Sequence, residues 1–118
     1  MLDPVIAERI ELIRESILLI ESRTQGIQSS KDFVKNEESK MIMDAVAMRL
    51  QVIGENVKKI SKLHPGFFEE KLNFDMDPII RFRDFVAHHY EKTDYEIIFD
   101  ICKHHIPRLK EAMAELNK

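Results

Sequence analysis

PVIAERIELIRESILLIESRT, residues 4–24, places isoleucine at positions 6, 10, 13, 17 and 20. The intervals alternate between four and three, which puts all five side chains on one face of a helix packed against other helices. Val5, Leu12 and Leu19 recur every seven residues and widen that stripe. Asp3 suits the N-cap. Pro4 suits the first helical position, where its missing N–H would have no partner in any case. The spacing predicts a first helix over about 4–24.

The same period continues along the chain. Gly26 and the Ser29-Ser30 pair mark a loop, with Ser30 as the expected cap of a short turn carrying Phe33 and Val34. Asn36 suits the cap of a second long helix, with Glu37 and Glu38 in its first turn. That helix carries two apolar stripes. One is Met41, Ala45, Met48 and Val52; the other is Ile42, Val46, Ile53, Val57 and Ile60. Two stripes predict two covered faces: one against the first helix, the other against the C-terminal half of the chain or against a second subunit. His64-Pro65-Gly66 ends the helix. Phe67, Phe68, Leu72 and Phe74 are expected in a connecting segment over the core. Asp77-Pro78 opens a third long helix, with Ile79, Phe82, Phe85 and Val86 as its apolar face. Thr93-Asp94 is expected to cap a last helix through Ile97, Ile98, Ile101, Leu109 and Leu116. Pro107 should kink or interrupt it, because proline lacks an N–H and crowds the preceding turn. No stretch alternates with the period of a strand. The expected fold is all-α: an up-and-down bundle of four long helices plus a short one, in a single domain over 1–118.

Composition limits the function classes. The chain has 118 residues, 44% hydrophobic and 33% charged, with a formal net charge of −3. That supports a core and argues against disorder. A single cysteine, Cys102, rules out an internal disulfide. Asp3, Glu8, Arg9, Glu11, Arg14 and Glu15 break up the first 15 residues, which therefore do not read as a signal peptide. No apolar run approaches the roughly 20 residues needed to span a bilayer. A cytoplasmic protein without membrane association is expected. The mildly acidic balance argues against a general nucleic-acid coat protein, and leaves room for an enzyme that grips RNA locally.

The segment Arg81-Phe82-Arg83-Asp84-Phe85-Val86-Ala87-His88-His89-Tyr90 combines an apolar helical face with residues that handle protons and phosphates. Asp84 and His88 are four apart and are neighbours on a helix. Arg83 and His88 are five apart, about 140° around the axis, so they flank a groove rather than stack. An imidazole titrates near neutrality and can take or give a proton. A guanidinium is always charged and presents a planar fork to a phosphate gaining negative charge. Asp84 can hold the imidazole in orientation. Such a set suits cleavage of RNA phosphodiesters, and the scheme calls for no metal or other cofactor.

Arg83-x4-His88-x-Tyr90 resembles the R-x4-H-x-Y motif of HepT-like toxins, a branch of the HEPN (higher eukaryotes and prokaryotes nucleotide-binding) superfamily. Val52-Ile53-Gly54-Glu55 resembles that family's "IGE" stretch, and Asp94 and Pro107-Arg108-Leu109 resemble its C-terminal pattern. The resemblance implies a HEPN-like helical homodimer with two motifs facing a shared cleft. It implies a metal-independent endoribonuclease that acts as the toxin of a toxin–antitoxin pair. Its partner would be a minimal nucleotidyltransferase antitoxin, which can add AMP to the motif tyrosine, here Tyr90. It makes Arg83 and His88 the catalytic pair and puts Asp84 in a polar slot beside them. Many relatives carry a tryptophan before the motif helix. This chain has none, and Met76 or Phe74 is expected to fill that space.

Other readings stay open beside this one. The chain can be a non-catalytic binding module for a nucleotidyltransferase, or a structural helical dimer in which Arg83 only pairs with Asp84, Asp77 or a partner chain. Glu55 is either a polar contact near the cleft or a plain surface charge. Gly54 reads as a point of close helix approach, since no Gly-x-Gly pattern follows it. The adjacent pairs His88-His89 and His104-His105 point about 100° apart and chelate poorly. Asp100 and His104 share a face, but two ligands fall short of the three or four that zinc takes, so no metal site is expected. Cys102, beside Ile101, reads as packing. Between Met76 and Lys92 the charges of Arg81, Arg83 and Lys92 balance those of Asp77, Asp84 and Glu91. The motif helix alone therefore promises only a weak grip on RNA.

Overall fold

The computed structural model describes residues 2–89 and 95–116, without the side chains of 85–89. The described residues form an all-α bundle. Helix α1 spans Pro4–Arg23, and a 3₁₀ turn follows at Ser30–Val34. Helix α2 is Glu37–Leu63, α3 is Phe67–Leu72, α4 is Asp77–His89 and α5 is Tyr95–Asp100. A π turn at Ile101–His105 joins α5 to α6, which spans Ile106–Glu115. No described helix is long and apolar enough to cross a membrane.

The helix starts follow the local chemistry. The Asp3 carboxylate accepts from the Val5 N–H at 2.8 Å, and Pro4 opens α1. At α2, Asn36 Oδ1 accepts from the Ser39 N–H at 2.8 Å, while Ser39 Oγ accepts from the Asn36 N–H at 3.1 Å. This reciprocal pair satisfies two donors that a bare helix end would leave orphaned. The 3₁₀ turn departs from expectation: its N-cap is Ser29, and Ser30 is the first residue inside it. The Asp32 carboxylate fixes that choice by accepting from the N–H groups of Gln28 and Ser29, at 2.8 and 3.1 Å. The expected connecting segment after Gly66 is the short helix α3. Gly66 enters it at φ +81°, a left-handed conformation that a side chain would strain.

The α1 isoleucines form one wall of the core; all five are at most 5% exposed. They meet Val46, Leu50, Ile53, Val57 and Ile60 of α2, each fully buried. Phe33, Phe67 and Phe68 close the core at the turns. Met76 is buried and Phe74 packs against the same cluster. Ile79 and Phe82 carry α4 onto the core, while Phe85 and Val86 have side chains outside the described residues. Burying each such side chain contributes about 1.5–3 kcal/mol.

One expected face stands open in this chain. Met41 and Met48 are 69% and 56% exposed, and Ala45 and Val52 are half-buried. The stripe is not covered by the C-terminal half of the bundle. Helix α4 instead comes down on the C-terminal half of α2, where Gly54 presents no side chain to hold it off. Pro107 has the expected effect. Without an N–H it cannot continue the ladder, and the turn before it widens to π geometry. Cys102 packs against the core, and burial pushes its thiol up to about 12. That places it with inert, structural cysteines.

Candidate active site

The site begins with a missing side chain. A Cβ built on Gly54 would lie 2.6 Å from the Arg83 Cβ, 3.0 Å from its Cγ and 3.4 Å from the Ile79 carbonyl oxygen. No ordinary side chain fits there. Glycine lets α4 lie directly on α2 and seats the stem of Arg83 against the α2 backbone.

From that seat the guanidinium spreads between two carboxylates. Its Nη1 donates to Asp84 Oδ1 at 3.1 Å, and its Nη2 lies 3.6 Å from Glu55 Oε1. Lys58, one turn after Gly54 on α2, donates from Nζ to the same Asp84 oxygen at 3.1 Å. The carboxyl of Asp84 is held below the usual aspartate range, first by the Lys58 ammonium and then by the Arg83 guanidinium. The side chains remain accessible: Arg83 is 30% exposed and Asp84 44%. A guanidinium has five N–H donors, so these two contacts orient it and leave donors for a phosphate.

The structure thus brings Arg83 and Asp84 together with Gly54, Glu55 and Lys58 across two helices. Glu55 is a polar contact of Arg83, and of the possible structural partners of Arg83, Asp84 is present while Asp77 pairs with Arg81 at 3.4 Å. The His88 backbone belongs to α4. Its side chain, and Tyr90 entirely, lie outside the described residues, as does any hydrogen bond between Asp84 and His88. His104 Nε2 and Asp100 Oδ1 are 3.8 Å apart. Among the described residues no third His, Cys, Asp or Glu joins them.

Next to Arg83 the two helices leave a groove of about 590 Å³. Lys58, Lys59 and Lys62 line it from α2, together with Glu55, Ile80 and Arg83. The charge balance read along the motif helix missed these lysines because they lie on a different helix. Their signal is present in the sequence. Glu55, Lys59 and Lys62 continue the 41-45-48-52 face of α2, at the same three- and four-residue intervals.

Comparisons with known proteins bear on this geometry. The family model "Ribonuclease HepT-like" matches residues 13–116. A "Gamma-glutamylcyclotransferase and putative RNase" of Methanocaldococcus jannaschii is 35% identical over 111 residues; these cover 90% of this chain and 46% of that protein. The chain therefore spans about half the length of that relative. A "Putative RNase" of Caldanaerobacter subterraneus is 32% identical over 89% of this chain and 87% of its own. A "Probable ribonuclease HepT" of Thermococcus cleftensis is 31% identical over 92% of this chain and 93% of its own. No solved structure gives a significant match.

Proposed function

This chain belongs to the ribonuclease HepT-like family, and from that premise we propose that it is an endoribonuclease that cuts RNA without a metal ion, using Arg83 and His88. The observation that carries the reading is the seat of Arg83. An arginine fixed by a glycine contact and two carboxylates, beside a cationic groove, is prepared to meet a phosphate.

In this scheme the ribose 2′-oxygen attacks the adjacent phosphorus and the bond to the 5′-oxygen breaks. His88 takes the proton from the 2′-hydroxyl or gives one to the departing 5′-oxygen. Arg83 stabilises the negative charge that accumulates on the phosphorane. Asp84 is a positioning residue: it holds the Arg83 fork and stands one turn before His88. The products are a 2′,3′-cyclic phosphate and a 5′-hydroxyl. A homodimer that brings two motifs to one cleft supplies a second imidazole, so one histidine acts as base and the other as acid. The open stripe of Met41, Ala45, Met48 and Val52 runs towards the groove and offers a surface for that pairing.

The same reading makes the chain the toxin of a toxin–antitoxin pair. A minimal nucleotidyltransferase would neutralise it by adding AMP to Tyr90, two residues beyond His88, and so place a bulky anion beside the catalytic pair. The test is cleavage of a mixed RNA pool in EDTA by the native protein and by His88→Ala. Both are checked for folding by circular dichroism and sized by light scattering. Cleavage by the native protein alone, with cyclic phosphate ends, supports the reading. If neither cuts, and mass spectrometry finds Tyr90 unmodified, the chain is better read as a binding partner of the nucleotidyltransferase.

A further inference from the structure

The groove that Arg83 lines also carries Lys58, Lys59 and Lys62, and Lys59 and Lys62 have no role in the chemistry proposed above. Its charge is concentrated. Lys58, Lys59, Lys62 and Arg83 face one lining carboxylate, Glu55, in a chain whose net charge is −3. Lys58 is committed to Asp84 at 3.1 Å. Lys59 and Lys62 are exposed and have no ion-pair partner among the described residues. The contrast elsewhere is informative. A cavity beside Cys102 carries one cation, Lys103. Lys110, on α6, is already held by Glu21 at 2.9 Å.

We propose that this groove is the track for the sugar-phosphate backbone of single-stranded RNA flanking the scissile bond, with Lys59 and Lys62 contacting phosphates next to the one held by Arg83. The inference rests on the ribonuclease reading and assigns the residues that bind its substrate. Three features favour a strand over a free nucleotide. Among the described residues no aromatic side chain lines the groove to stack a base. The cations are strung along the helix: Lys59 to Lys62 is about 4.5 Å of axial rise, and Arg83 faces them from α4. Long flexible ammonium side chains suit a repeating chain of point charges better than one oriented ligand. The stems of these lysines and Ile80 form an apolar floor for the sugars.

The experiment measures binding of a fluorescent, fully 2′-O-methylated RNA of about twelve nucleotides to the native protein in EDTA, by anisotropy across a salt series. Such RNA lacks the nucleophilic hydroxyl and stays intact. The Lys59→Gln/Lys62→Gln double variant should bind about tenfold more weakly at moderate salt. Its plot of log affinity against log salt should be shallower by about 1.4, from two lost phosphate contacts on a single strand. On cleavable RNA its KM should rise while kcat holds. A charge-matched control, Lys31→Gln/Lys35→Gln, alters the turn that precedes α2, roughly 35 Å of helix rise from Lys59 and Lys62, and should match the native protein. Melting curves confirm that both variants fold.

An unchanged slope in the Lys59/Lys62 variant overturns the assignment, as does an equal loss in the control. Displacement of the RNA by AMP, lost in the same double variant, makes the groove a nucleotide pocket and also overturns it. Cleavage that persists with a native KM in the double variant removes the groove alone and leaves the ribonuclease reading standing. Neither binding nor cleavage by the native protein removes both.

Discussion

Gly54→Ala changes one methyl group and should separate activity from stability. The new Cβ would sit 2.6 Å from the Arg83 Cβ, whereas carbon atoms prefer about 3.5–4.0 Å. Roughly 1 Å must be found. The crowded atom is rooted on the α4 backbone, so a rotamer change cannot relieve the clash and the helix itself must shift. Overpacking of this kind costs about 1–3 kcal/mol. Alanine returns about 0.8–1 kcal/mol through its better helix propensity, so the net loss is about 0–2 kcal/mol. For a domain of this size that lowers Tm by no more than about 10 °C. The effect on chemistry is larger, since a 1 Å displacement of a positioned group can cost about a hundredfold. We expect cleavage in EDTA to fall about 10- to 100-fold in a variant that remains folded at the assay temperature. Gly26→Ala, with nothing within 4 Å of its new Cβ, should keep the native rate. A native rate for Gly54→Ala at an unchanged Tm would refute the claim that this contact sets Arg83.

Two further outcomes follow from the same structure. The carboxyls of Asp32 and Asp84 are both held below the usual range, Asp32 by the N–H groups of Gln28 and Ser29, Asp84 by Lys58 and Arg83. Depressed values mean that their stabilising contribution is complete above the ordinary aspartate value of about 3.9 and is lost as pH falls through the lower folded values. Denaturant midpoints measured from pH 6 down to pH 2 should therefore decline mainly below pH 4, and Asp32→Asn should flatten part of that decline; a midpoint independent of pH in this range would contradict it. Cys102, with its thiol pushed up to about 12, should alkylate at pH 8 about a thousandfold more slowly in the folded protein than after denaturation, read by mass spectrometry; rapid labelling of the native state would place it elsewhere.

How much of this was legible in the sequence depends on the range of the interaction. Helix positions follow from local rules. The isoleucine stripe at 6–20, the caps at Asp3 and Asn36 and the disturbance before Pro107 each depend on a few neighbouring residues, and all appear as expected. Gly54 was legible as a point of close approach, but not as the seat of a particular arginine 29 positions away. Glu55 was ambiguous for the same reason, because its partner lies on another helix. The Met41–Val52 stripe lies open in this chain; periodicity records that a face is apolar and does not record what covers it. The charge balance of the motif helix was correct for that helix and incomplete for the site. Lys58, Lys59 and Lys62 reach the groove only once α4 lies on α2. The HepT-like likeness read from the sequence is matched, at the level of the family, by the comparison over residues 13–116.

The most direct measurement is the single-turnover cleavage rate of Arg83→Lys at saturating RNA in EDTA, beside the native protein and Arg83→Ala. Lysine keeps the charge and loses the planar fork that Glu55 and Asp84 hold. If Arg83 acts on the phosphorane, both variants should lose about a hundredfold or more in rate while remaining folded. A native rate in Arg83→Lys, or in a folded Arg83→Ala, would mean that this arginine is a strut between two helices and that the chemistry lies elsewhere.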